Sequence, residues 1–132
     1  MSAAGELSMA WRRVLVVDDN ADAADSLAML LTAQGDAVRI AYDGEEAVDA
    51  EAEFQPQVVL LDIGLPGLSG YDVARRIRAR RGDGVLIVAI TGWGQDEDRR
   101  RSREAGFDHH FTKPVDIGQL LQVIEAERPR GA

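Results

Sequence analysis

Four short apolar runs each stop at a polar residue able to do chemistry, and this repeated pattern constrains the fold more than any other feature. VLVV (14–17) runs into Asp18 and Asp19, VVLL (58–61) into Asp62, LIVAI (86–90) into Thr91, and Phe111-Thr112 into Lys113-Pro114. A short buried run bounded by turn signals is the mark of a parallel strand covered on both faces. Such a strand presents its next side chain at the carboxyl edge of the sheet, where open α/β sheets bind ligands. Three carboxylates, a hydroxyl and an ammonium converging on one edge describe a site for a divalent cation and a phosphoryl group.

Between the runs the spacing changes to that of helices. Ala24, Leu27, Ala28, Leu30 and Leu31 predict a helix over 21–34, which Gly35 stops. A short strand over Ala37–Ala41 follows, then a helix beginning after Asp43-Gly44 and carrying Ala47, Val48 and Ala50. Pro56 separates that helix from a strand over 57–61. Gly64, Pro66, Gly67 and Gly70 force a sharp bend after Asp62. Tyr71, Val73, Ala74 and Ile77 mark a third helix, ending near Gly82, and 85–90 is the next strand. The segment 95–105 places acids first and arginines second, in the sense that suits the helix dipole, and has few large apolar residues. It is predicted to be the least buried helix. A last strand over 107–112 and a last helix over 116–127 complete five βα units, which imply a parallel sheet with helices on both faces.

Composition narrows the function. With 132 residues and no cysteine, the chain fits one domain without disulfides, thiolate metal sites or a cysteine nucleophile. No apolar stretch approaches the roughly 20 residues of a membrane helix. The first eleven residues lack the basic start and apolar core of a signal peptide, so a cytoplasmic location is expected. A net charge of −8 argues against direct nucleic-acid binding. The expected organisation is an N-terminal tail over 1–11, one domain over 12–127 and a C-terminal tail over 128–132, with no output region after the last helix. Among fifteen basic residues Lys113 is the single lysine, either a remnant of arginine-biased codons or a position that needs a compact, mobile ammonium.

The motifs VLVVDDN, VVLLDIGLPGLSG, AITG and FTKPVD, in this order and spacing, resemble the receiver domain of bacterial two-component response regulators. The details TGWGQDEDRRR and AGFDHHFTKPVD are similar to receivers attached to hybrid sensor kinases, in which the kinase activity would lie outside this chain. The resemblance implies a flavodoxin-like (βα)5 three-layer sandwich with sheet order 2-1-3-4-5. It implies Asp62 as phosphoacceptor, Asp18 and Asp19 as Mg²⁺ ligands, and Thr91 and Lys113 as contacts to the phosphoryl oxygens. It also implies a cis Lys113–Pro114 bond. The implied partners are a histidine kinase or histidine phosphotransfer protein as donor, and a downstream protein or second copy reading the 95–127 face.

The chemistry of the residues agrees with those roles. A carboxylate can attack phosphorus in line and form an aspartyl phosphate. Crowding Asp18 and Asp19 beside Asp62 raises carboxylate pKa values unless a cation neutralises them. Mg²⁺ suits such a set, with Mn²⁺ as the alternative, and the carbonyl of Gly64 is a further candidate ligand. Asn20 or Asp19 can cap the following helix at the same time. Phosphoryl transfer is mostly positioning and charge stabilisation, which Lys113 and Thr91 can supply. A structural threonine at Thr91 and a turn aspartate at Asp62 are the plain alternatives.

Three positions invite closer attention. Many receivers carry Tyr or Phe three residues before the lysine, a side chain that changes rotamer on activation. Here it is His110, read either as a reporter of phosphorylation and pH or as an exposed strand histidine. Gly64 and Trp93, each two residues beyond a site residue, are candidates for tuning the lifetime of the phosphorylated state, with partner contact the alternative for Trp93. Two other functions compete. A Mg²⁺-dependent phosphohydrolase of the haloacid dehalogenase type needs a second acid where Gly64 stands, and a cap insertion. A phosphorylation-independent interaction module would not need the full set of Asp18, Asp19, Asp62, Thr91 and Lys113.

Overall fold

A computed structural model describes residues 12–92 and 96–126, with the side chains of 96–98 left aside. The expected tails over 1–11 and 128–132, and Trp93, lie outside the described residues. The strands are β1 (Arg13–Val17), β2 (Ala37–Ala41), β3 (Val58–Asp62), β4 (Leu86–Thr91) and β5 (His109–Thr112). The helices are α1 (Ala21–Ala33), α2 (Gly44–Phe54), α3 (Gly70–Arg81), α4 (Asp96–Ala105) and α5 (Ile117–Ala126). All neighbouring strands pair in parallel, in the order β2-β1-β3-β4-β5. This is the flavodoxin-like order that the family resemblance implies.

Burial on both faces explains the unbroken apolar runs. Alternate residues of β1, β3 and β4 point to opposite sides. Leu15, Val17, Val59, Leu61, Ile87 and Ala89 pack with Ala47, Ala50, Val73, Ala74, Ile77 and Ala105, which come from α2, α3 and α4. Val14, Val16, Val58, Leu60, Val88 and Ile90 pack with Ala24, Leu31, Leu120 and Ile124 of α1 and α5. Among the described side chains of α4 only Ser102 and Ala105 are buried, in keeping with its sparse apolar content.

Local chemistry sets the ends. Asn20 caps α1, its side chain accepting from the Ala23 amide at 3.1 Å, and Asp43 and Ser69 cap α2 and α3 in the same way. Gly35 at φ +99° and Gly82 at φ +57° take the left-handed side of φ after α1 and α3. β3 runs one residue further than the apolar run, so Asp62 is its last residue.

β5 begins at His109 rather than 107. Phe107 leaves the strand direction and is buried against Tyr71, edge to face, with ring centroids 6.4 Å apart. The Asp108 carboxylate takes the Ile87 amide at 2.9 Å, replacing a regular ladder bond. Arg78 joins this corner together, donating to the carbonyls of Gly106, Gly82 and Val85 and to Asp108.

Candidate functional site

The parallel register brings the ends of β1, β3, β4 and β5 to one edge. Asp62 pairs with Ile90 across the ladder, and Thr91 pairs with Thr112, so the residues that end these strands stand at similar height. Asp18 follows β1 directly and its amide donates to the Ala41 carbonyl at 3.1 Å. Lys113 follows β5 and its amide donates to the Thr91 carbonyl at 2.7 Å. The Lys113–Pro114 bond is cis.

Three carboxylates and one ammonium meet there. Asp18, Asp19 and Asp62 each offer an oxygen, and these oxygens lie within 4.8 Å of one another. Lys113 Nζ donates to Asp62 Oδ2 at 3.0 Å and stands 3.5 Å from Asp18 Oδ2. The other Asp62 oxygen, Oδ1, accepts from the Gly64 amide at 2.8 Å. Asp18 Oδ1 accepts from the Asn20 amide at 3.0 Å. Asn20 thus caps α1 through its side chain and holds Asp18 through its amide.

The electrostatics leave the cluster short of positive charge. Burial raises the Asp18 pKa, the Asn20 hydrogen bond opposes it, and the charge of Asp62 raises it further. For Lys113 burial pulls the pKa down, but the hydrogen bond and charge of Asp62, then those of Asp18, outweigh it and the net shift is upward. Three acidic side chains against one ammonium, all presenting hard oxygen donors, form a set that fits a hard divalent cation. Asp19 is exposed while Asp18 and Asp62 are 8% exposed, so the cluster opens to solvent on one side only.

Thr91 is buried at 1% exposure at the end of β4, between β3, which ends at Asp62, and β5, which Lys113 follows. His110 is not part of the carboxylate cluster. It is half-buried, and its Nδ1 lies 3.0 Å from Oγ of the buried Ser102, which ties β5 to α4.

Two further residues that shape the site were read from sequence only as chain breakers or helix starts. A β-carbon on Gly70 would fall 2.7 Å from the Asp62 carbonyl oxygen and 2.6 Å from the Ile63 α-carbon. A β-carbon on Gly44 would fall 2.4 Å from the Leu68 carbonyl oxygen. Glycine at both places lets α2 and α3 close on the loop that follows Asp62. The signal available in sequence was their position at the first residue of each helix, next to a cap.

Comparison with known proteins gives one consistent result. The family model described as the response regulator receiver domain matches residues 14–125. An uncharacterised 14.6 kDa protein of Leptolyngbya boryana is 29% identical over 119 residues, which cover 89% of this chain and 91% of that protein. A CheY-like receiver domain protein from Methanospirillum hungatei superposes with a TM-score of 0.80 at 29% identity, over 88% of this chain and 92% of that one. The receiver domain of a sensor histidine kinase from Pseudomonas aeruginosa, solved with magnesium coordinated in its active site cleft, superposes with a TM-score of 0.78 at 29% identity, over 87% and 95%. With the sheet order, the acidic edge and these matches in agreement, the chain belongs to the response regulator receiver domains, the signalling modules of two-component systems.

Proposed function

We propose that this chain is a phosphoacceptor, with Asp62 taking a phosphoryl group from a phosphohistidine of a histidine kinase or phosphotransfer protein. The observation that carries this reading is the contact of Lys113 Nζ with Asp62 Oδ2 inside the acidic cluster. A carboxylate oxygen of Asp62 attacks phosphorus, the P–N bond to the donor histidine breaks, and its electron pair returns to the imidazole, which takes up a proton. Asp18, Asp19, Asp62 and the Gly64 carbonyl would hold Mg²⁺, or Mn²⁺, which when bound supplies a dication to offset the charge of the phosphoryl oxygens.

The chain's own residues do the rest. Gly64 fixes one carboxylate oxygen of Asp62 through its amide. Lys113 meets the incoming negative charge with an ammonium that is already at the nucleophile, and Thr91 donates its hydroxyl to a phosphoryl oxygen. Gly64 brings no side chain beside the acyl phosphate, and Trp93 slows its hydrolysis, so the pair sets its lifetime. An apolar groove of about 450 Å³ between α1 and α5, with Asp18 and Lys113 in its lining, offers the donor protein a surface beside the nucleophile.

Output is a change of packing. When Thr91 and Lys113 move to a phosphoryl group, α4, β5 and α5 adjust, and His110 carries the change through its bond to Ser102. A downstream protein or a second copy reads the 95–127 face. The domain over 12–127 works in the cytoplasm, turns over no outside substrate and acts only on its own aspartate. Among the described residues no helix is long and apolar enough to cross a membrane.

Intact-mass measurement after incubation with Mg²⁺ and a small phosphodonor tests the proposal. One added phosphoryl group is expected, absent in Asp62→Asn and absent when the metal is chelated. Uptake that survives Asp62→Asn would remove Asp62 from its role. Trp93→Ala is expected to shorten the half-life of the phosphorylated state, and an unchanged half-life removes that role.

A further inference from the structure

Charge is spread unevenly along this chain. Residues 12–69 hold twelve acidic and three basic side chains, whereas residues 70–105 hold six acidic and nine basic, every one of the nine an arginine. Against a total of −8, this sector is a local reversal of sign. Arg99, Arg100 and Arg103 are exposed on α4. Between α4 and β5 lies a groove of about 430 Å³ lined by Arg99, Arg103, His109 and His110, with the buried Phe107 beside them. Asp108 also lines it, but its Oδ2 already accepts from Arg78 and from the Ile87 amide, so its charge is committed.

We propose that this groove seats a short acidic segment of a partner protein, held by Arg99 and Arg103. The inference rests on the reading of the 95–127 face as the surface partners read, and it adds the partner's chemistry. Guanidinium groups pair with carboxylates through two parallel hydrogen bonds, which gives geometric selectivity as well as attraction. A short acidic segment keeps its charges within about one Debye length, roughly 8 Å, of the arginines. A long polyanion such as nucleic acid instead extends over the rest of an acidic molecule and is repelled. The groove also touches the Ser102–His110 bond, so an occupant and the state of that bond influence each other's free energy reciprocally.

Fluorescence anisotropy on the full chain tests this with three probes of equal length: a Glu-rich peptide, its Gln counterpart and a single-stranded oligonucleotide. The Glu-rich peptide alone is expected to bind, more weakly as salt rises. The Arg99→Glu/Arg103→Glu variant is expected to lose about tenfold or more in affinity. Arg75→Glu, an exposed change on α3, is expected to leave binding unchanged. Equal binding of the Gln peptide overturns the proposal, as does preference for the oligonucleotide or light scattering that shows two copies closing the groove. Circular dichroism checks folding, and the Arg99→Gln/Arg103→Gln variant gives the same order of affinities if charge reversal unfolds the chain. Repeating the titration on phosphorylated protein separates the two readings. A shifted affinity supports both, while unchanged affinity keeps the acidic-segment site and removes the switched character of the face.

Discussion

Asp62 ends β3 and Lys113 follows β5, two strands that are not neighbours, and their side chains meet across the end of β4 with Nζ 3.0 Å from Oδ2. The ammonium therefore occupies the same carboxylate neighbourhood in which a divalent cation would be held. Two cations drawn to one set of oxygens oppose each other.

Lys113→Met separates their roles. Removing the resident positive charge is expected to tighten Mg²⁺ binding by about tenfold, given roughly 1 kcal/mol or more between nearby charges even in high dielectric. Phosphoryl uptake is expected to fall, because the developing charge loses its counterpart. Calorimetric titration with Mg²⁺ and intact-mass kinetics read the two effects, and weaker metal binding would show that the lysine does not compete. The folded-state pKa of Lys113 lies above its ordinary 10.5, because Asp62 and Asp18 outweigh the burial that lowers it. Its stabilising contribution is thus fully present below 10.5 and is lost as pH rises through the higher folded value. In alkaline unfolding curves the wild type is expected to lose this advantage over Lys113→Met.

Far from the site, Arg12 is 1% exposed and its Nε lies 3.1 Å from Oδ1 of the buried Asp36. Its other nitrogens reach the Ile124 carbonyl at 3.5 Å and Glu125 at 3.4 Å, so it clips the end of α5 to the sheet. Asp36→Ala leaves that charge buried without its closest partner, and a cost of about 3–5 kcal/mol is expected in urea unfolding. Burial raises the Asp36 pKa above 3.8 against the opposing pull of Arg12. The folded state consequently binds this proton more tightly than the unfolded chain. Stability from this group falls as pH rises from 3.8 through the folded value, and Asp36→Asn is expected to lack that acid-side slope.

Gly67 lies in the loop after Asp62 and Gly70 opens α3, and the two predict different outcomes for metal binding. A methyl group on Gly70 strikes the backbone of Asp62 and Ile63, which cannot yield without shifting Asp62. Gly70→Ala is expected to cost about 1–3 kcal/mol and to weaken Mg²⁺ binding at the same time. Gly67 has φ +70° and open space around it. Gly67→Ala is expected to cost about 1–2 kcal/mol through backbone strain, with Mg²⁺ affinity unchanged. Thermal unfolding and metal titration on both variants decide it.

The strand tips were legible because a strand buried on both faces must be apolar throughout, which makes the first polar residue after it conspicuous. That rule places Asp18, Asp62, Thr91 and Lys113 at one edge from the sequence alone. It failed at residue 107, where Phe107 is as apolar as a strand residue but turns aside to pack on Tyr71. Apolar character reports burial and not direction. Nor does local pattern report a contact between distant segments. The approach of Gly70 to Asp62, the Ser102 partner of His110 and the corner held by Arg78 all depend on how helices settle on the sheet.

The Ser102–His110 bond, at 3.0 Å, is a side-chain tie between α4 and β5. Arg101 ties α4 to α3, its guanidinium carbon 4.4 Å from the centre of the Tyr71 ring. Ser102→Ala removes the tie to β5 and keeps the tie to α3, while Arg101→Ala does the reverse. Each is expected to cost about 0.5–1.5 kcal/mol, since a hydrogen bond and a cation–π contact are of similar worth at such sites. Their effects on signalling should differ. If His110 carries the change from the site, Ser102→Ala will speed amide exchange in α4 and abolish most of the further increase on phosphorylation. Arg101→Ala will speed exchange in α4 but leave the response to phosphorylation intact. Hydrogen exchange on both forms of both variants reads this directly, and a full phosphorylation response in Ser102→Ala would mean that the signal reaches α4 by another route.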